Sequence, residues 1–171
     1  MGKFTEISTK MYLEGLKDEE MVMELTKKIF KCPTYRSTKN EDVFMHVDLW
    51  CIKNDKRYGI DVKGLHKNKR SDNNYDDTIQ WIELLNTQGN IGWIYGKSVY
   101  IAFITKTSVL YVPRKKIVKM VEEKIKGKEI VHYNPQNCYQ PYQRRDRLDK
   151  IVKGPTDDLR KIAKHEIMLN K

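Results

Sequence analysis

Two strand-like segments joined by a short polar turn constrain the fold of this chain more than any other feature. The first segment, which contains HVDLWCI, is predicted as a strand from about Val43 to Ile52. In the second, RYGIDVKG, apolar and polar residues alternate as in a half-buried strand. The intervening KNDK consists of turn-forming residue types. We therefore predict an antiparallel hairpin whose turn is centred on Asn54 and Asp55.

A turn at this position brings polar residues of the two strands together on one face. Asp48 would lie opposite Asp61, and Lys63 would lie opposite His46. Opposed side chains in such a pair have β-carbons about 4.5–5.5 Å apart, so two facing carboxylates repel each other unless a cation lies between them. The intervening apolar residues would face the core. A solvated strand face is the alternative, because a D-x-K tripeptide alone is weak support in so charged a chain.

Other segments indicate the helices and strands that surround this hairpin. An amphipathic helix is predicted over Asp18–Lys31, and the following Cys32-Pro33 would end it. The segments SVYIAFIT and SVLYVP predict a second hairpin that turns at Lys106-Thr107. A basic helix is expected to begin at Pro113 and to end at Gly127. This order of elements predicts an α/β fold with a central mixed sheet flanked by helices.

The remaining segments are predicted from their polarity and their capping residues. Thr34–Asp42 and Leu65–Thr78 are polar and should form loops, the second of them long and exposed. In the tail, LDKIVK is strand-like, and a helix with Ile167 on its inner face would begin at about Thr156, whose side chain would cap it.

Length and charge limit the class of protein. The 171 residues fit a single domain over 1–171, with a core at about 18–126 and a basic C-terminal extension at about 127–171. The 33 Lys and Arg exceed the 23 Asp and Glu, which gives a formal net charge of +10. Such an excess predicts a polyanionic partner, most commonly nucleic acid, although a basic protein that is merely soluble is the alternative.

Cysteine usage and hydropathy predict the compartment. Cys32, Cys51 and Cys138 lack C-x-x-C spacing, so we expect neither a disulfide framework nor a structural zinc site. A reducing cytoplasm suits such cysteines. No stretch approaches the ~20 apolar residues of a membrane span, and the first residues lack the apolar core of a signal peptide. The sequence therefore predicts a soluble cytoplasmic protein without a membrane partner.

The run VDLWCIKNDKRYGIDVKG resembles the core of the PD-(D/E)xK nuclease superfamily. More narrowly, STKNEDVFMHVDLW, YGIDVKG and IELLNTQGNIGWIYGKSVYIAF resemble small bacteriophage nucleases of that superfamily, some of them described as Holliday-junction-resolvase-like. The resemblance covers most of residues 34–112. Two departures weaken its specificity: Val47 stands where the superfamily has Pro, and the second acid, Asp61, is Asp where Glu is commoner.

The resemblance implies a restriction-endonuclease-like core and a Mg²⁺-dependent DNA endonuclease in a bacterial or phage-infected cell, with Mn²⁺ able to substitute. Asp48, Asp61 and the Val62 carbonyl would bind the metal, and Lys63 would position the attacking water. The substrate class would include branched or junction DNA, and the active form could be a homodimer. Two alternatives stay open: a catalytically inactive nucleic-acid-binding module and a phage accessory protein of the same fold.

Further residues are candidates for the site and for DNA contacts. Additional acids or lining groups of the site are Glu20, Glu24, Asp42, His46 and Glu83. Basic side chains bind phosphates without reading sequence, and the predicted DNA contacts are His66, Lys67, Lys69, Arg70, Arg114, Lys115, Lys116, Arg144, Arg145 and Arg147. Tyr139 and Tyr142 lie beside several of these arginines and would either stack on bases or pack in the core.

Overall fold

A mixed sheet of six strands forms the centre of the fold in a computed structural model that describes residues 2–67 and 75–169. The helices are α1 (Gly2–Phe30), α2 (Lys39–Met45), α3 (Arg114–Ile125) and α4 (Thr156–Ile162), with a 3₁₀ turn at Trp93–Tyr95. The strands are β1 (Thr34–Arg36), β2 (Leu49–Lys53), β3 (Lys56–Lys63), β4 (His66–Lys67), β5 (Tyr75–Asp76), β6 (Ile79–Leu85), β7 (Tyr100–Ile104), β8 (Ser108–Pro113), β9 (Lys150–Pro155) and β10 (His165–Met168).

The central sheet has the order β1-β2-β3-β7-β8-β10, in which β3 and β7 are parallel and the other neighbours are antiparallel. One face packs against α1 around Val22, and the other packs against α3, α4 and the β6–β9 ladder around Ile82. The predicted α/β class with a central mixed sheet is therefore confirmed. Among the described residues, we find no helix that is both long and apolar enough to cross a membrane.

The first hairpin has the predicted register. Leu49 pairs with Ile60 and Lys53 pairs with Lys56, which centres the turn on Asn54 and Asp55. Both turn residues have positive φ, 50° and 58°. This left-handed conformation at two consecutive positions is typical of the tight turns that match strand twist, and Asn and Asp tolerate it better than most residues.

The second hairpin and the helix after it are also confirmed. Ile104 of β7 pairs with Val109 of β8, so the chain turns at Lys106-Thr107. Pro113 ends β8 and precedes the first residue of α3. Helix α3 ends at Ile125, shortly before Gly127, whose φ of 76° suits glycine.

Three predicted boundaries near the first hairpin are wrong. Helix α1 begins at Gly2 and not at Asp18, although it ends before Cys32-Pro33 as expected. The predicted loop Thr34–Asp42 contains β1 and the start of α2, and the first strand of the hairpin begins at Leu49.

A capping box explains why residues 39–45 are helical and not extended. The Glu41 backbone N–H donates to Thr38 Oγ1 at 3.3 Å, and the Thr38 backbone N–H donates to Glu41 Oε2 at 2.8 Å. His46 then ends α2 with a φ of 51°. Helix α2 therefore lies immediately before the hairpin and beside its open end.

The polar loop and the tail differ from prediction as well. Within Leu65–Thr78, β4 and β5 form a short ladder in which His66 pairs with Asp76, and residues 68–74 lie outside the described range. Thr156 begins α4 but does not cap it, because its Oγ1 accepts a hydrogen bond from Gln80 Nε2 at 3.3 Å. Ile167 lies in β10, since α4 ends at Ile162.

The cysteines contradict the expectation that the chain contains no disulfide. Cys32 and Cys51 are bonded, with Cα atoms 6.2 Å apart, and Cys138 is free. The pairing follows from the antiparallel β1–β2 ladder, in which Thr34 lies opposite Cys51 and so brings Cys32 close. The sequence separation of Cys32 and Cys51 did not predict this bond, because it forms only when α2 reverses the chain between β1 and β2. The cysteines therefore no longer support a reducing compartment.

Candidate active site

The open end of the first hairpin brings Asp48 and Asp61 together, as the register predicted. Asp48 lies one residue before β2; its backbone N–H donates to the Ile60 carbonyl at 2.9 Å, and its Oδ2 accepts the Val62 N–H at 2.6 Å. Asp61 Oδ1 accepts a hydrogen bond from Lys63 Nζ at 2.7 Å. Both acids are therefore held by the backbone and side chains of β3.

Asp61 lies in a position that disfavours its charged form. Its side chain is buried, and among the residues that the structure describes the buried Oδ2 has no hydrogen-bond donor. Burial raises the pKa of Asp61 well above its usual range, and the neighbouring Asp48 adds to the rise while Lys63 opposes it. When both carboxyls are ionised, Asp61 Oδ2 therefore lacks a positive or hydrogen-donating partner.

Lys63 supplies one positive charge to this pair. Its Nζ also lies 5.0 Å from the centre of the Trp93 ring, and 28% of its side chain is exposed. Burial acts to lower the pKa of Lys63, but Asp61 and Asp48 outweigh that effect and raise it. Lys63 is thus a fixed cation and a hydrogen-bond donor at neutral pH.

Helix α2 adds Asp42 to the cluster. Asp42 is exposed, but partial removal of its carboxyl from water, followed by the charge of Asp48, raises its pKa. The predicted pairing of His46 with Lys63 is wrong, because His46 ends α2 and is not part of a strand. The His46 ring Nε2 lies 3.3 Å from the Ile91 carbonyl oxygen, at the rim of the cluster.

The acid of α1 that faces the cluster is Glu19, which the sequence interpretation missed. Glu20 binds Arg36 at 3.2 Å with 54% of its side chain exposed, and Glu24 binds Lys27 at 2.6 Å with 60% exposed. By contrast, burial and then the Asp48 carboxylate raise the pKa of Glu19, while Arg36 opposes the rise. Neither predicted helix acid therefore points toward Asp48.

A helical spacing could have identified Glu19. It lies three residues before Val22 and seven before Thr26, and both of those side chains are fully buried. Residues at this spacing share one face of a helix. Glu19 therefore continues the buried stripe of α1 toward the hairpin.

Glu83, predicted as a further lining acid, lies in the same region on β6. It is half-buried, and burial raises its pKa while Lys63, His46 and Arg144 each oppose the rise. The alternating burial along β6 explains its position, because Ile82 and Leu84 point into the core on either side of it. The charge of Glu83 therefore interacts both with Lys63 and His46 of the cluster and with Arg144 of the C-terminal segment.

The cluster offers carboxylate oxygen atoms as ligands for a cation. Within the described ranges, no three His, Cys, Asp or Glu side chains already surround a single point. Mg²⁺ does not require such a cage, since it is usually held by one or two carboxylates and keeps several waters. The paired carboxylates of Asp48 and Asp61 fit this requirement, and the donor-free Asp61 Oδ2 is the atom that a cation would satisfy.

Two of the predicted DNA-contact arginines are engaged within the protein. Arg114 donates to the Ser98 and Ile94 carbonyls at 2.7 and 3.1 Å. Arg144 Nε donates to the buried Asp149 carboxylate at 2.6 Å. Both side chains therefore stabilise local backbone structure.

Other predicted DNA contacts remain on the surface. Lys115 and Lys116 are exposed on the first turn of α3. Arg145 and Arg147 are exposed as well and line an open cleft of about 370 Å³ together with His132. His66 and Lys67 form β4, whereas Lys69 and Arg70 lie outside the described residues.

The tyrosines of the C-terminal segment do not form a stacking surface. Tyr139 is 6% exposed and Tyr142 is 1% exposed. Tyr139 donates a hydrogen bond to Asp158 at 3.0 Å and packs in the main core cluster. Of the two predicted roles for these rings, base stacking is therefore wrong and core packing is confirmed.

Comparisons of the chain with models of protein families, with curated proteins and with solved structures find no match. A functional assignment therefore depends on the geometry of the acids around Asp61 and on the resemblance of the hairpin sequence.

Proposed function

We propose that this protein is a metal-dependent endonuclease that hydrolyses phosphodiester bonds in DNA, with Mg²⁺ as cofactor and Mn²⁺ as a substitute. The observation that carries the proposal is the buried Asp61 carboxylate: Oδ1 accepts a hydrogen bond from Lys63, and Oδ2, close to Asp48, has no donor within the described ranges. A buried carboxylate next to a second, partly buried carboxylate, with a single lysine beside them, is costly to maintain unless the pair binds a cation.

The roles of the residues follow from this arrangement. Asp48 and Asp61, with the Val62 carbonyl, would hold the metal. When bound, the metal would polarise the scissile phosphate and lower the pKa of a bound water. Lys63, fixed 2.7 Å from Asp61 Oδ1, would orient the attacking water and stabilise the negative charge that develops on the phosphate.

The charge of the chain supports DNA as the substrate. The formal net charge is +10, and the exposed Arg145, Arg147, Lys115 and Lys116 are available to bind phosphates. We propose that the substrate class includes branched DNA and that cutting of both strands uses two copies of the chain. We propose the cytoplasm of a bacterial or phage-infected cell as the setting because DNA is found there; the Cys32–Cys51 bond means that the cysteines do not support this part of the proposal.

A cleavage assay tests this function directly. The purified protein should nick or cut supercoiled plasmid or synthetic branched DNA in the presence of Mg²⁺ or Mn²⁺, and EDTA should abolish the reaction, because the acids cannot activate water unaided. Comparison of linear duplex with a four-way junction measures the structural preference. Saturable DNA binding without cleavage of any substrate would contradict the endonuclease and favour a binding module.

Substitution of Glu19 should change the Mg²⁺ concentration that cleavage requires, whereas substitution of the neighbouring Glu20 should not. Glu19→Gln removes a negative charge beside Asp48, so the Mg²⁺ concentration for half-maximal cleavage should rise about tenfold, as for other outer-shell carboxylates. Glu20→Gln is the matched control, because Glu20 also binds Arg36 but is exposed; it should change that concentration by less than about twofold. Equal effects of the two substitutions would contradict the assignment of Glu19.

A further inference from the structure

A second cavity lies on the α1 face of the central sheet, away from the acids. It has a volume of about 250 Å³, slightly below the ~300 Å³ at which small-ligand pockets begin. Its floor is formed by buried residues, among them Ile60 and Tyr111. Ile60 and Asp61 are consecutive on β3 and point to opposite faces, so the cavity is separated from the candidate active site by the sheet.

The walls of this cavity are aromatic. Phe30 contacts Tyr111 edge to face at 5.2 Å between ring centres, and it contacts the His165 ring in the same manner at 4.9 Å. Tyr58 and Tyr100 also line the cavity, together with Thr26 and the disulfide-bonded Cys51. The cavity thus combines an aromatic lining with polar groups, a composition that suits a planar heterocycle.

The rim of the cavity is positively charged. Lys53 and Lys164 line it, both are exposed, and neither forms an ion pair within the described ranges. Burial, then Lys164 and Lys53, lower the pKa of His165, so its ring is neutral at pH 7 and the two lysines supply the charge. No acidic residue is among the lining groups that are described. An anion at the rim would therefore be favoured.

We propose that this cavity binds a free nucleotide, with the base against the aromatic lining and the phosphate at the rim near Lys53 and Lys164. The cavity volume accommodates one base and not a longer segment of nucleic acid. Neither the metal nor the acids of the other face are needed, so this site stands independently of the proposed endonuclease.

Titration of the intact protein with deoxyadenosine 5′-phosphate in EDTA tests the proposal. Calorimetry should give saturable binding with one site, and the NMR signals of the His165 imidazole should shift while those of His46 stay unchanged. His165→Gln assigns the resonance. Deoxyadenosine, which lacks the phosphate, and 2-deoxyribose 5-phosphate, which lacks the base, should each bind more weakly than the nucleotide.

Substitutions at the rim localise the site. Lys53→Ala and Lys164→Ala should each weaken binding about fivefold, and because both residues are exposed the fold should persist. Lys126→Ala is the control, since Lys126 is exposed after α3 on the other side of the sheet; it should change the affinity by less than about twofold.

Several results would overturn the assignment of the cavity. One is the absence of saturable binding of deoxyadenosine 5′-phosphate. Another is an equal loss of affinity in Lys126→Ala and Lys164→Ala, and a third is loss of binding in Asp61→Asn. Binding only by a 5′-phosphorylated oligonucleotide would show that a strand end, and not a free nucleotide, is the ligand. None of these outcomes depends on whether the protein cleaves DNA.

Discussion

Asp61→Asn is expected to reduce metal-dependent DNA cleavage by about 10³-fold or more, because it removes a charged metal ligand and leaves Lys63 a neutral acceptor in place of a carboxylate. The fold should persist, with a free energy of unfolding within about 1 kcal/mol of the parent chain. Burial already disfavours the charge of Asp61, and the new amide can donate to Asp48. Single-turnover cleavage with saturating Mg²⁺, together with thermal unfolding, measures the two quantities.

Asp55→Asn is the matched control for this experiment. It makes the same chemical change at the turn of the same hairpin, where φ is 58° and Asn is well tolerated. Cleavage by this variant should equal that of the parent chain, and DNA binding by both variants should remain within a few-fold of the parent chain. Undiminished cleavage by folded Asp61→Asn would remove the hairpin acids from the mechanism.

Asp149→Asn should be the most destabilising of the conservative substitutions considered for this chain. Asp149 is 1% exposed; its Oδ1 accepts the Arg144 backbone N–H at 3.0 Å, and its Oδ2 accepts Arg144 Nε at 2.6 Å. Asn keeps only one of these acceptor oxygens, and its NH₂ group would face one of the two Arg144 donors. We expect a loss of about 2–3 kcal/mol, since Arg144 keeps some contact with water.

Thermal unfolding followed by circular dichroism measures this loss as a fall in Tm of roughly 5–10 °C. Asp146→Asn is the control: Asp146 lies in the same segment, is exposed, and has a φ of 59° that Asn tolerates. Equal Tm values for the two variants would contradict a structural role for the Asp149–Arg144 pair.

The features that could be predicted from the sequence are local. The turn at Asn54-Asp55 fixes the register of its hairpin because alternation of apolar residues leaves one face for the core. The meeting of Asp48 with Asp61 follows from that register. The turn at Lys106-Thr107 was predictable for the same reason.

The features that were missed depend on contacts between distant segments or on competition between local signals. Val43 and the residues around it have strand-like composition, but the capping box between Thr38 and Glu41 makes them helical. The three consecutive acids at the centre of α1 look alike in sequence, and only packing against the sheet selects Glu19. The Cys32–Cys51 bond depends on the β1–β2 ladder, which no spacing rule indicated.

The position of a divalent cation tests the proposed metal site without reference to activity. Crystals grown with Mn²⁺ should show an anomalous-scattering peak between Asp48 and Asp61, about 2.0–2.3 Å from an oxygen of each carboxylate, and crystals of Asp61→Asn should lack it. A peak at another cluster, or no peak at these acids in crystals of protein that cleaves DNA in solution, would exclude Asp48 and Asp61 as the metal ligands.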